Sequence, residues 1–110
     1  MEGQDGFVLV ARADELANGD RKVVFLGTKR VAVFRIEDAF YCIHNTCPHA
    51  GGSLGHGEVD GCGVRCPRHN WLFDLKTGAC STDPRYEATT YAVRVVDGEV
   101  WVKDSGGRIR

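Results

Sequence analysis

The apolar runs of this 110-residue chain are only a few residues long, as in Val23-Val24-Phe25-Leu26, whereas a bilayer span needs about 20. Strong charge of one sign is missing too. Fourteen Lys and Arg against fifteen Asp and Glu leave a net charge of −1, so no global field draws the chain to nucleic acid or to an anionic membrane. The opening residues, Met1-Glu2-Gly3-Gln4-Asp5, are acidic and lack the apolar core of a secretory leader. The expected location is therefore cytoplasmic. No amphipathic helical pattern of ordinary length is present. An even cysteine count is lacking as well: the five cysteines, in a chain with no leader, argue against a disulfide framework and for metal or redox chemistry.

The chain is rich in glycine, with fourteen residues, which points to turns and tight loops. Short strands are expected at Phe7–Val10, Lys22–Leu26, Arg30–Ile36, Phe40–Ile43, Tyr91–Val96 and Glu99–Lys103. Asp14–Asp20 reads as a turn or one helical turn. Gly27-Thr28 ends a strand, Glu37-Asp38 suits a hairpin tip, and Asp97-Gly98 suits a tight type I′ turn, which requires positive φ. The length accommodates one domain over residues 1–110, with an ordered core of about 7–103. Residues 44–83 read as a loop-rich insert with too few apolar residues for a core of its own. Asp60-Gly61 and Thr77-Gly78 mark turns inside it.

That insert holds two short motifs, Cys47-Pro48-His49 and Cys66-Pro67-Arg68-His69, with sixteen residues between His49 and Cys66. Each offers one thiolate and one imidazole, and each proline stiffens its loop. Two Cys and two His suit either tetrahedral zinc or a two-iron cluster with mixed ligands. Zinc sites usually pair Cys with Cys and His with His, as C-x2–4-C and H-x3–5-H. Here each half mixes the two, which makes geometric sense if each loop gives its Cys to one iron and its His to the other. A structural zinc module remains the competing class.

The segments from Cys47 to Leu54 and from Cys66 to Gly78 resemble the signature of Rieske [2Fe–2S] ferredoxins, and the similarity extends from about Val8 to Val102. The resemblance implies an all-β Rieske fold: an antiparallel β-sheet base with a smaller, loop-rich cluster-binding subdomain, here 44–83. It implies one [2Fe–2S] cluster, with Cys47 and Cys66 on the buried iron and His49 and His69 on the iron nearer solvent. The histidines would form the contact surface for a redox partner and couple electron uptake to protonation. Rieske proteins of respiratory and photosynthetic complexes carry a disulfide between the ligand loops. Gly52 and Arg68 occupy those positions here, and Trp71 and Phe73 replace a Ser and a Tyr near the cluster. Fewer hydrogen bonds to sulfur imply a potential at the low end of the Rieske range, roughly −150 to 0 mV.

Two subfamilies fit that range: the small subunit of assimilatory NAD(P)H-dependent nitrite reductase, and the free ferredoxin that carries electrons from a flavin reductase to a ring-hydroxylating dioxygenase. His69-Asn70-Trp71 resembles the former more closely, because oxygenase ferredoxins more often have Gly after the second His. The partner in either case is a redox protein: a nitrite reductase large subunit, or a flavin reductase and an oxygenase. A catalytic oxygenase subunit needs a further mononuclear-iron domain, so no catalysis is expected from this chain alone. Of the remaining residues, Cys42 reads as buried and structural, Cys62 as a turn thiol open to oxidation, and Cys80 as having no ligand partner. His44 and His56 read as structural or surface residues. Arg65 and Arg68 suit either solvated loop charges or docking groups, Trp71 a shield over the cluster, and Asp83-Pro84 the start of a third covering loop.

Overall fold

The computed structural model describes residues 6–47 and 52–103. Ten strands follow one another: β1 (Phe7–Arg12), β2 (Arg21–Leu26), β3 (Lys29–Ile36), β4 (Ala39–His44), β5 (Glu58–Asp60), β6 (Gly63–Arg65), β7 (Leu72–Asp74), β8 (Thr90–Tyr91), β9 (Val93–Val96) and β10 (Glu99–Lys103). They form three antiparallel sheets, ordered β1-β10-β9, β2-β3-β4-β8 and β5-β6-β7. The only helical pieces among the described residues are single 3-10 turns at Ala13–Glu15 and Leu54–His56. The chain is all-β, as its sequence leads one to expect.

β3 explains the layering. Its four central residues, Val31, Ala32, Val33 and Phe34, are all fully buried. Successive strand side chains point to opposite faces, so an apolar run without alternation requires cover on both sides. Val31 and Val33 join Ala11, Val100 and Val102 of the first sheet, together with Leu16, Cys42 and Tyr91. Ala32 and Phe34 face the other way and join Ile43, Leu54, Val64, Phe73 and Leu75. The middle sheet thus carries two cores, one toward the base and one toward the ligand-bearing loops.

The hairpin tips follow their turn chemistry. Asp97 and Gly98 both take positive φ, 52° and 76°, as a type I′ turn demands. One expectation needs correction. Tyr91–Val96 is not one strand: Tyr91 pairs with β4, Val93 pairs with β10, and the chain changes sheet at Ala92, whose carbonyl accepts Lys103 N–H. The 44–83 region also has more order than its glycines suggest. β5, β6 and β7 are each three residues long, too short to leave a periodicity in the sequence, yet they form a small sheet across Asp60-Gly61.

Candidate metal centre

The first motif leaves β4 at His44. Asn45 follows, a nearly fully buried polar side chain. Its Oδ1 accepts Gly55 N–H at 2.7 Å, and its Nδ2 donates to Ser53 Oγ at 2.9 Å. Its backbone carbonyl accepts Leu54 N–H, and its own N–H donates to the Arg30 carbonyl. One residue therefore fastens both ends of the loop between Thr46 and Ser53, which also pair as an isolated bridge. Inside that bridge, Cys47 N–H donates to the Gly52 carbonyl at 2.8 Å. Beyond it, Arg21 holds the carbonyls of Gly55 and Gly57 through Nη1 while stacking over Phe34. Burying an amide and meeting its hydrogen-bonding needs makes such a loop rigid. His49, with Pro48, Ala50 and Gly51, lies outside the described residues.

The second motif bridges β6 and β7. Asn70 N–H donates to the Cys66 carbonyl at 2.7 Å, and Cys66 N–H donates to the Trp71 carbonyl at 2.8 Å. The chain can return this tightly because Asn70 adopts φ 64°, a region that Gly and Asn enter most easily. Within this turn the Cys66 side chain is fully buried, while Pro67, Arg68 and His69 are exposed.

The two loops meet. A Cβ placed on Gly52 would lie 3.0 Å from Cys66 Sγ and 2.8 Å from Arg68 Cγ. Gly52 and Arg68, the two positions that carry a disulfide in the respiratory type, are thus adjacent, and the stem of Arg68 lies against the glycine backbone instead. Cys47 and Cys66 belong to one buried cluster with Phe73 and Cys80. Trp71 packs against that cluster and meets Tyr86 edge-on, at 5.5 Å between ring centroids. The loop that begins at Asp83 therefore folds onto Trp71. Its ends are tied by Tyr86 N–H to the Asp83 carbonyl and by Cys80 N–H to the Tyr86 carbonyl.

The remaining candidates separate cleanly. Cys42 is buried, and burial pushes its thiol well above the ordinary range; such a thiol is inert. Cys80 is buried and accepts Asp83 N–H on Sγ. Cys62 is half-buried beside the Tyr41 hydroxyl, to which it is hydrogen-bonded, an interaction that raises the tyrosine pKa. His44 is half-buried with Nδ1 at 3.5 Å from the Tyr91 hydroxyl; burial, and then Lys29, lower its pKa. His56 is exposed and pairs with Ser53 Oγ. Arg65 is neither a bare solvated charge nor a free docking group, since it binds Asp60 and the Asn70 carbonyl. Sequence reasoning missed Asn45 and Arg21. The available signal for Asn45 was an amide placed directly after the strand that ends Tyr41-Cys42-Ile43-His44.

A cluster with two irons asks for donors in two pairs rather than for several converging on one point. Two buried thiols on facing loops, with an exposed imidazole three residues after one of them, suit the paired arrangement. Gly52 backbone beside Cys66 leaves room that any side chain would fill. The donor set therefore fits a [2Fe–2S] group.

The comparisons agree. The Rieske [2Fe–2S] domain matches residues 6–100. The anthranilate 1,2-dioxygenase ferredoxin subunit of Burkholderia cepacia is 41% identical over 91 residues, covering 81% of this chain and 83% of its own. The ferredoxin of carbazole 1,9a-dioxygenase from Nocardioides aromaticivorans superposes with a TM-score of 0.83 at 31% identity, covering 87% of this chain and 95% of its own. A proposed NADH-dependent nitrite reductase small subunit from Mycobacterium tuberculosis does so with 0.82 at 28%, covering 87% and 92%. This chain belongs to the Rieske [2Fe–2S] family: its cofactor is a [2Fe–2S] cluster, its work is electron transfer, and its partners are redox proteins.

Proposed function

We propose that this protein is a free, cytoplasmic ferredoxin that passes single electrons from a flavin reductase to a ring-hydroxylating dioxygenase. Its cluster would be held by Cys47, His49, Cys66 and His69 within a cap formed by residues 44–83 on a single domain. The observation that carries the ligand assignment is the burial contrast within one turn, where Cys66 is fully buried and His69 is exposed. When bound, the cluster supplies a reversible one-electron couple. The protein's own part is to keep the two thiols dry, to hold His69 at the surface where a partner can approach, and to fix both loops through Asn45 and the Cys66–Trp71 turn. Arg68, exposed next to His69, suits an acidic patch on such a partner.

The choice of partner reverses the leaning of the sequence. His69-Asn70-Trp71 favours the nitrite reductase type because Asn replaces the more usual Gly. Yet Asn70 sits at φ 64°, where Asn and Gly serve the same backbone need, so the exchange says little about partner. The 41% identity to a dioxygenase ferredoxin subunit over four-fifths of the chain then weighs more. The nitrite reductase reading keeps the support of fold neighbours of nearly equal TM-score, 0.82 and 0.79. The test is reconstitution. With a flavin reductase and NADH, the loaded protein should support hydroxylation by an aromatic-ring dioxygenase and should not be required for nitrite reduction by a sirohaem large subunit. The opposite pattern would make it the nitrite reductase subunit.

A further inference from the structure

We propose that Arg65 is a positioning residue for His69, acting as a clamp across the small sheet; this rests on the assignment of His69 as a cluster ligand. Arg65 is the last residue of the central strand β6, opposite Glu58 on one side and Leu72 on the other. Its Nε and Nη2 both donate to Asp60 Oδ2, at 3.1 and 2.7 Å, and its Nη1 donates to the Asn70 carbonyl at 3.2 Å. A single guanidinium thus ties the far end of β5 to the turn that enters β7.

The fork explains why arginine is needed. Two donors spent on one carboxylate fix the plane of the group, and a third donor, on Nη1, then points at the Asn70 carbonyl. The point charge of a lysine ammonium could satisfy Asp60 or Asn70 but could not set one from the other.

The geometry of the turn explains why the clamp reaches His69. Asn70 N–H is anchored on Cys66, and Trp71 returns its carbonyl to Cys66 N–H. The intervening Asn70 carbonyl is the group that Arg65 takes. With both sides of the Asn70 residue held, and its φ in the left-handed region, the backbone leaving His69 has one course. The Arg65–Asp60 pair is one-third and one-half exposed, so as an ion pair it adds little stability. Its contribution is the placement of an imidazole relative to Cys66.

The test uses the cluster-loaded protein and three variants, Arg65→Lys, Arg65→Gln and Asp60→Ala. Two quantities are read: the EPR line shape after reduction, and hydrogen exchange of the Cys66–Leu72 peptide by mass spectrometry. The clamp predicts that all three variants shift the EPR g values in the same direction. It also predicts that each speeds exchange in that peptide about tenfold, the loss of one charge-assisted hydrogen bond. If Arg65 acted only through its charge, Arg65→Lys would match the parent and Asp60→Ala would move oppositely to Arg65→Gln; either result overturns the proposal. Should the Arg65 variants fail to retain iron, Asp60→Ala keeps the arginine but removes its acceptor, and an unchanged line shape and exchange rate there would also overturn it. A parent without a mixed His/Cys signal removes the ligand assignment, and the clamp's purpose with it. A parent with that signal and an unmoved Arg65→Lys removes the clamp alone.

Discussion

Replacing Asn45 by Ala should cost about 3 kcal/mol, far more than the size of the change suggests. The amide is nearly fully buried and makes two separate contacts, to Gly55 N–H and to Ser53 Oγ. Truncation leaves the buried Gly55 N–H unpartnered, for which a penalty of about 1–3 kcal/mol is usual. The lost Ser53 contact adds about 1 kcal/mol. Space left by the amide does not help, because the surrounding loop is tied to Arg21 and to the Thr46–Ser53 bridge. For a chain of this size, with a urea slope of ~1.5 kcal/mol/M, the unfolding midpoint should fall by about 2 M. Far-UV circular dichroism measures that shift, and the visible absorbance of the same samples follows the cluster, which should bleach faster in chelator. Ser53→Ala is the control and should lose only about 1 kcal/mol, because Asn45 keeps Gly55. A midpoint for Asn45→Ala within experimental scatter of the parent would refute the hub.

Three further outcomes follow from the same geometry. A Cβ on Gly57 would lie 2.0 Å from the Arg65 carbonyl oxygen, a backbone atom, so Gly57→Ala should destabilise by about 3 kcal/mol or fail to load iron, as read by urea unfolding and iron content. Asn70→Gly should leave stability and spectrum within about 0.5 kcal/mol of the parent, whereas Asn70→Val, forced to φ 64°, should lose about 1–2 kcal/mol. His44 has its pKa lowered by burial and by Lys29, so the folded state resists its protonation. Its contribution to stability is full above the ordinary value of about 6.5 and is lost as pH falls from there toward the lowered folded value. Thermal melting of His44→Gln should accordingly decline less than the parent between about pH 6.5 and 5.

The parts of the fold that were legible in the sequence are those where local chemistry and tertiary structure ask for the same thing. Asp97-Gly98 needed positive φ and has it, and Val31–Phe34 showed its strand by composition alone. The run did not reveal that both its faces are buried, since that depends on sheets formed by residues 20 to 70 positions away. β5, β6 and β7 escaped notice because three residues are shorter than any readable period. The sheet change at Ala92 escaped because Tyr91–Val96 reads as a continuous strand whichever neighbour it pairs with. In the site, thiol and imidazole spacing was visible at once. The groups that hold the loops still were not: Asn45, Arg21 and Arg65 act through backbone carbonyls and amides, which leave no mark on the identity of the residues they bind.

The central claim is a cluster held by two thiolates and two imidazoles, and EPR of the dithionite-reduced protein tests it most directly. The account predicts a red-brown protein giving one rhombic signal of low average g, in an amount matching half its iron content. A colourless protein with stoichiometric zinc after anaerobic iron–sulfide reconstitution, or the signal of a four-cysteine cluster, would contradict it.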